Sequence, residues 1–438
     1  GLEPLQYPAG EMHGLLKDKT MPGLLKSLIR SMNGLCVITS RCTVKDLKNT
    51  EGRLSLTHYL SHLSKEAGSA LLKTYHLKGN REELEQTSLE FDNHALALHL
   101  TGSYLKTYHD GDIKKRNEIP KRTIDENFGG HARRVMESYE NWFSKNNKAE
   151  LDVLYLMGLF DRPAEKEALD VIIAAPAIPG LTDGLQKLSR IEWQNILKHL
   201  RDLRLLTEKD QVEPDTLDCH PLIHEHFGEK LEKQKPGAWR EAHDRLYEYY
   251  KNFPEKDLPD TLEEMEPLFA AVAHGCQAGM HQKALDEVFW KRIRRQQEAY
   301  TVHKLGAFGT DLSCLSHFFE RLWDRPASGL SKEVKPFVLS WAGFALRAVG
   351  RLEEATQPMK AGLEASTKDD DWKGAAQDAS NLSELHLTIG NVTKAVNYGK
   401  QSVDYADRSG NWREKMINRT TYADALFQSG KVAEAQKR

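Results

Sequence analysis

Read in order, the chain changes its hydrophobic period several times. Near the start, Gly34-Leu-Cys-Val-Ile-Thr-Ser-Arg41 is a short apolar, β-branched run ending in polar residues. It predicts a buried parallel strand whose C-terminal end presents Thr39, Ser40 and Arg41, where ligands of open α/β sheets sit. Between about 149 and 232 the spacing predicts three short helices: Leu151 to Phe160, stopped by Arg162-Pro163, then Glu165 to Ala175, then Ile191 to Leu203. Residues 205–210 and 216–219 follow as two strands around a polar turn. From about 237 to 330 the pattern is helical, with Trp239, Tyr247, Tyr249 and Tyr250 on one helix and Leu268 to Ala273 on the next.

The last third repeats itself. Gly350-Arg-Leu-Glu-Glu-Ala355, Gly390-Asn-Val-Thr-Lys-Ala395 and Gly430-Lys-Val-Ala-Glu-Ala435 align at an offset of 40 (390 − 350 and 430 − 390), and Trp372 and Trp412 share that offset. Each unit predicts a helical hairpin, with glycine in the left-handed conformation that ends the first helix and alanine permitting close packing of the second. The pattern resembles tetratricopeptide repeats, whose usual period is about 34. The extra residues are expected in the inter-repeat turns, Lys368 to Asp371 and Asp407 to Gly410. A weaker echo, Gly279 to Ala284, places the first hairpins earlier. The sequence stops at Arg438, inside the second helix of a repeat, so continuation beyond it is expected.

Composition narrows the class. The 438 residues hold 61 Lys+Arg against 64 Asp+Glu, a formal charge of −3, which gives no field for bulk nucleic-acid or membrane binding. The apolar run Val171 to Leu181 is broken by Pro176 and Pro179 and is too short to span a bilayer. Five cysteines without a Cys-x-x-Cys pair suit free thiols in a reducing cytosol. A soluble, cytoplasmic, multidomain protein of about three domains is expected.

Several ordered pieces resemble the signal-transduction NTPases of NB-ARC and NACHT type, the STAND proteins. Gly1-Leu-Glu-Pro-Leu-Gln6 is similar to the stretch after their Walker B aspartate. Val37-Ile-Thr-Ser-Arg41 is similar to their sensor strand, which makes Arg41 the phosphate-sensing arginine, with Thr39 and Ser40 beside it. Leu63-Ser-Lys-Glu-Ala67 is similar to the start of their helical lid, with Ser64 as N-cap. Asp92-Asn-His-Ala-Leu-Ala-Leu98 stands where the family has Gly-x-Pro-x-Ala-Leu, so Asn93 and His94 replace the glycine and the adenine-facing proline. No Gly-x-x-x-x-Gly-Lys-[Ser/Thr] occurs in the 438 residues, so this chain alone does not hydrolyse ATP by P-loop chemistry. A fragment of a longer ATPase is expected, with degeneration as the other account.

The implied fold is mainly α: the remnant of a P-loop α/β domain (1–50), a helical lid (51–148), a winged helix (149–232), a helical linker (233–330) and an α-solenoid of tetratricopeptide-like hairpins (331–438). The winged helix ends in His220-Pro-Leu-Ile-His224-Glu-His226-Phe227. By the resemblance His220 reaches the β-phosphate of ADP and locks the protein closed. Zinc held by Cys219, His220, His224 and His226, and helix capping with packing histidines, are the other readings. The third winged-helix helix carries Glu192, Gln194, Lys198 and Arg201, which is no basic face for DNA. Trp290-Lys-Arg-Ile-Arg-Arg295 is the densest basic run, read as a solvated helix face beside an acidic neighbour.

The resemblance implies a regulatory switch with ADP or ATP and Mg as cofactors in the full-length protein. A protein or peptide ligand would sit on the repeats, with Trp341, Trp372, Trp412 and Tyr422 as candidate contacts, and activation would produce a homo-oligomer. A plain interaction scaffold and a winged-helix transcription regulator are the alternatives.

Overall fold

The computed structural model describes residues 16, 21–31, 33–40, 43–52, 54–58, 62–120, 130–209 and 214–437. The chain divides into two compact units, residues 59–253 and residues 1–58 with 254–438. Helix α1 (Met21–Ser31) packs Leu25 with Leu16 and Leu47. Residues 34–40 correct the strand expectation: they form no strand, and Leu35 and Val37 are 87% and 74% exposed. A parallel strand draws its hydrogen bonds from neighbours, and no ladder partner occurs among the described residues. Arg41 lies outside the described residues.

The unit 59–253 opens with α2 (Lys65–Thr74), α3 (Arg81–Glu90), α4 (Ala95–Tyr108) and α5 (Gly130–Asn146). As expected, Ser64 caps α2, its hydroxyl accepting from the Ala67 amide at 3.1 Å. Asn80 and Glu83 form a capping box on α3. Leu72, Leu98, Leu105, Tyr139 and Phe143 close the core of these helices with no exposed surface. Then come α6 (Lys148–Met157), α7 (Lys166–Ile173), α8 (Arg190–Asp202), α9 (Pro221–Gln234) and α10 (Pro236–Asn252).

The three helices expected between 149 and 232 are present, but the hairpin is not formed among the described residues. Thr207 N–H donates to Asp218 O at 2.9 Å, whereas Leu217 pairs with Ala164 through two bonds of 2.7 and 3.0 Å. Both backbone groups of Leu217 are thus satisfied by Ala164, two residues before α7, and the second strand pairs there instead.

In the other unit, residues 254–438 form α11 (Leu262–Gln277), α12 (His281–Lys283), a ten-residue π-helix (Ala284–Ile293), α13 (Tyr300–His303) and α14 (Phe308–Ser316). A two-stranded antiparallel sheet follows, β1 (Phe319–Arg321) and β2 (Arg325–Pro326). The repeats are α15 (Lys335–Ala348), α16 (Leu352–Lys368), α17 (Trp372–Thr388), α18 (Val392–Ser409), α19 (Trp412–Gln428) and α20 (Val432–Ala435). Gly350, Gly390 and Gly430 take φ of +80°, +81° and +82°, and Gly279 takes +81°. Ala284, Ala355 and Ala395 are fully buried where the second helix closes on the first.

The extra residues of the 40-residue period lie in the helices. α16 has 17 residues and α18 has 18, and the turns between hairpins are short. Asp370 (φ +56°) and Gly410 (φ +67°) occupy the same repeat position and make those turns. The first helices α15, α17 and α19 pack successively against one another, as in a mainly α solenoid. No helix of the described residues is long and apolar enough to cross a membrane.

Candidate functional site

Within the unit 59–253, two histidines begin two helices. His220 is the N-cap of α9, and its Nδ1 accepts from the Leu222 amide at 3.2 Å, with Pro221 at the first helical position. His94 is the N-cap of α4, its Nδ1 accepting from Ala97 at 3.3 Å. An Nδ1 that accepts carries no proton, so each neutral ring holds its proton on Nε2 as an outward donor. Burial, then the fields of His62, His131 and His220, hold His94 below the ordinary imidazole pKa. Burial and His224 do the same for His220. In α9 Pro221 has no N–H, and the amides of Leu222, Ile223 and His224 all donate to His220 itself, so the donor that this helix start presents is the imidazole.

Asn93 explains how this turn survives without glycine. Asp92 and Asn93 have φ of +51° and +54°, a conformation that asparagine tolerates better than most residues. Asn93 Oδ1 accepts from Ser88 Oγ at 2.7 Å, and its carbonyl accepts from Leu63 N–H at 3.0 Å. His62 pairs with Asp92 at 2.7 Å and meets His94 edge-on, ring centroids 5.4 Å apart.

His224 and His226 are buried. His224 Nδ1 donates to Met157 O at 2.7 Å, closing the end of α6. His226 lies 3.9 Å from Glu140 in a charged seam between α5 and α9, where Lys230 reaches Glu140 (3.0 Å) and Arg133 reaches Glu225 (2.8 Å). Among the described residues no three His, Cys, Asp or Glu side chains form a metal-binding group.

Burial holds the His226 pKa down to about 4 against an unfolded value of about 6.5. Protonation therefore favours the unfolded chain, and stability falls as pH drops through about 6.5 toward 4, by up to roughly 3 kcal/mol from this group. In urea unfolding at pH 7 and 4.5, His226→Gln is expected to show a smaller acid loss than wild type. Equal losses would remove His226 as the cause.

In the repeats, Trp412 is 73% exposed, whereas its counterpart Trp372 stacks on Tyr405 under the Arg408 guanidinium. Trp341 is half-buried and donates from Nε1 to Asp311 Oδ2 at 2.6 Å. Tyr422 lies in the core with Val403 and Leu426. The run at 290–295 is no solvated face: Arg294 is buried, Arg292 donates to Asp257 O (2.7 Å), and Arg295 donates to Pro259 O and Asp260. Sequence reasoning missed these roles because the acceptors lie about 35 residues away.

No protein-family model matches the chain, and no curated protein matches it. Among solved structures there is one of a signal-transduction ATPase with numerous domains, carrying a tetratricopeptide-repeat sensor, from Pyrococcus horikoshii. The chain is similar to this STAND protein. The identity is 14% and the TM-score 0.32, over 86% of this chain and 59% of that one. This chain thus spans less than two thirds of the matched protein's length.

Proposed function

We propose that the chain is the lid, winged-helix and sensor portion of a STAND-type switch controlled by ADP and ATP. The repeats take a protein or peptide ligand, and that ligand relieves an inhibited state and permits oligomerisation. The observation that carries this reading is the pair of N-capping histidines, His94 and His220, each left with its proton on Nε2 by the amide that it caps. An imidazole Nε2–H donor suits an anionic group such as a diphosphate, although the P-loop cradle is not in these 438 residues. In this reading ADP supplies the negative charge, and His220 holds α9 to it while His94 serves α4.

The test must separate capping from ligand binding, because losing an N-cap alone costs about 1 kcal/mol. His220→Asn keeps a good cap and removes the imidazole donor. A rise in the melting temperature of the unit 59–253 with millimolar Mg-ADP is expected in wild type, and is expected to vanish in His220→Asn. An equal rise in both sinks the locking role. The exposed side chains of Leu35 and Val37, in a stretch that forms no strand, favour a second reading, a plain interaction scaffold, which predicts no ADP response in either protein.

A further inference from the structure

The segment 284–299 is the most irregular backbone among the described residues. Ten residues run as a π-helix, a form otherwise met mostly as single-turn bulges at functional sites. Directly after it Arg295, Gln296 and Ala299 have φ of +54°, +56° and +46°, which costs free energy in residues that bear a Cβ. Such strain persists only where surrounding contacts over-determine it.

Three arginines supply those contacts. Arg292 and Arg295 bind the carbonyls of residues 256–259, and the Arg295 guanidinium lies 3.5 Å from the Tyr300 ring centroid. Arg294 enters an aromatic cage, 4.8 Å from the Trp290 centroid, 5.1 Å from Phe337 and 4.0 Å from Trp341. Behind the cage lies Asp311, fully buried, held by Trp341 Nε1 at 2.6 Å and Thr301 Oγ1 at 2.8 Å. Phe337 and Trp341 belong to α15, the first helix of the repeats.

We propose that residues 284–299 are a sprung joint between the linker helices and the repeats, latched by Arg294 in the Trp290–Phe337–Trp341 cage. Withdrawing Arg294 lets the π-helix rewind as an α-helix. Each residue then advances further round the axis, so Arg292 and Arg295 lose their carbonyl acceptors and α15 is displaced relative to α11. The cage rings are half-buried, and a ligand of the repeats that contacts Phe337 or Trp341 competes with the guanidinium for them. This inference needs a repeat-bound ligand for its natural trigger but no nucleotide, so its test stands apart from that of the ADP reading.

Spin labels at Glu263→Cys and Lys400→Cys, both exposed positions, report on the joint in the full chain with Cys36 and Cys42 changed to serine. Wild type and Arg294→Lys, which keeps a cation in the cage, are expected to give one distance. Arg294→Ala is expected to move that distance by about one helical pitch, roughly 5 Å, while amides 284–293 stay protected from hydrogen exchange. An unchanged distance overturns the proposal. Loss of amide protection also overturns it, because the segment would then merely unfold. If Arg294→Ala does not fold, Phe337→Leu weakens the same cage and is judged by the same two readouts.

Discussion

Replacing Gly228 with alanine is expected to destabilise the unit that holds His94 and His220 by about 2 kcal/mol. Gly228 on α9 meets Gly158, the C-cap of α6, backbone to backbone. A Cβ on Gly228 would sit 2.6 Å from Gly158 O, and one on Gly158 would run into the Gly228 backbone nitrogen. Neither neighbour is a side chain that can swing aside, so the helices themselves must separate. Alanine's better helix propensity returns about 1 kcal/mol, against an overpacking cost of 1–3 kcal/mol or more in a rigid contact. A net loss of about 2 kcal/mol is expected, together with the Met157 O to His224 bond that lies beside it. Gly237→Ala, in α10 with nothing within 4 Å, is the control and is expected to be neutral or mildly stabilising. If thermal melting shows the two variants alike, the close crossing of α6 and α9 is wrong.

The second large effect is in the repeats and depends on pH. Asp378 on α17 is 1% exposed and accepts from Ser366 Oγ at 3.1 Å, beside Gly362 of α16. Burial pushes its pKa up to about 7, against the pull of serine hydroxyls and with a small push from Asp371. The unfolded carboxyl titrates near 3.9. Between those values the folded chain binds the extra proton, so stability falls as pH rises from about 4 to about 7. At about 1.4 kcal/mol per pH unit the penalty reaches at most roughly 4 kcal/mol. Asp378→Asn carries no charge to desolvate and is expected to gain on wild type by about 2 kcal/mol between pH 5 and pH 8. Parallel unfolding curves at both values would refute the assignment.

What could be read from the sequence was local. The glycine–alanine hairpins at 350, 390 and 430, the Ser64 cap and the helix opening at His220 each depend on a few adjacent residues, and each has that form in the structure. The features that escaped depend on partners far along the chain. The run at 34–40 has strand composition but no ladder partner among the described residues, and Leu217 pairs with Ala164 rather than with the residues facing it across the turn. Arg294 has the composition of a solvated helix, and only the rings of Phe337 and Trp341 make it internal. For the site, the pattern named His94 and His220 but not their shared tautomer, which follows from the amides they cap.

The matching dihedrals of Gly279, Gly350, Gly390 and Gly430 have a mechanical consequence. Each of these glycines sets the second helix of a hairpin on the first at a fixed angle, so a small rotation there is inherited by that helix and by every hairpin after it. The repeats therefore act as a lever arm. A few degrees at Gly279 or Gly350 sweep α19 through a longer arc than α15, whereas the same change at Gly430 moves almost nothing. Variants at the early joints should change the reach of the arm, and those at the late joints only its tip.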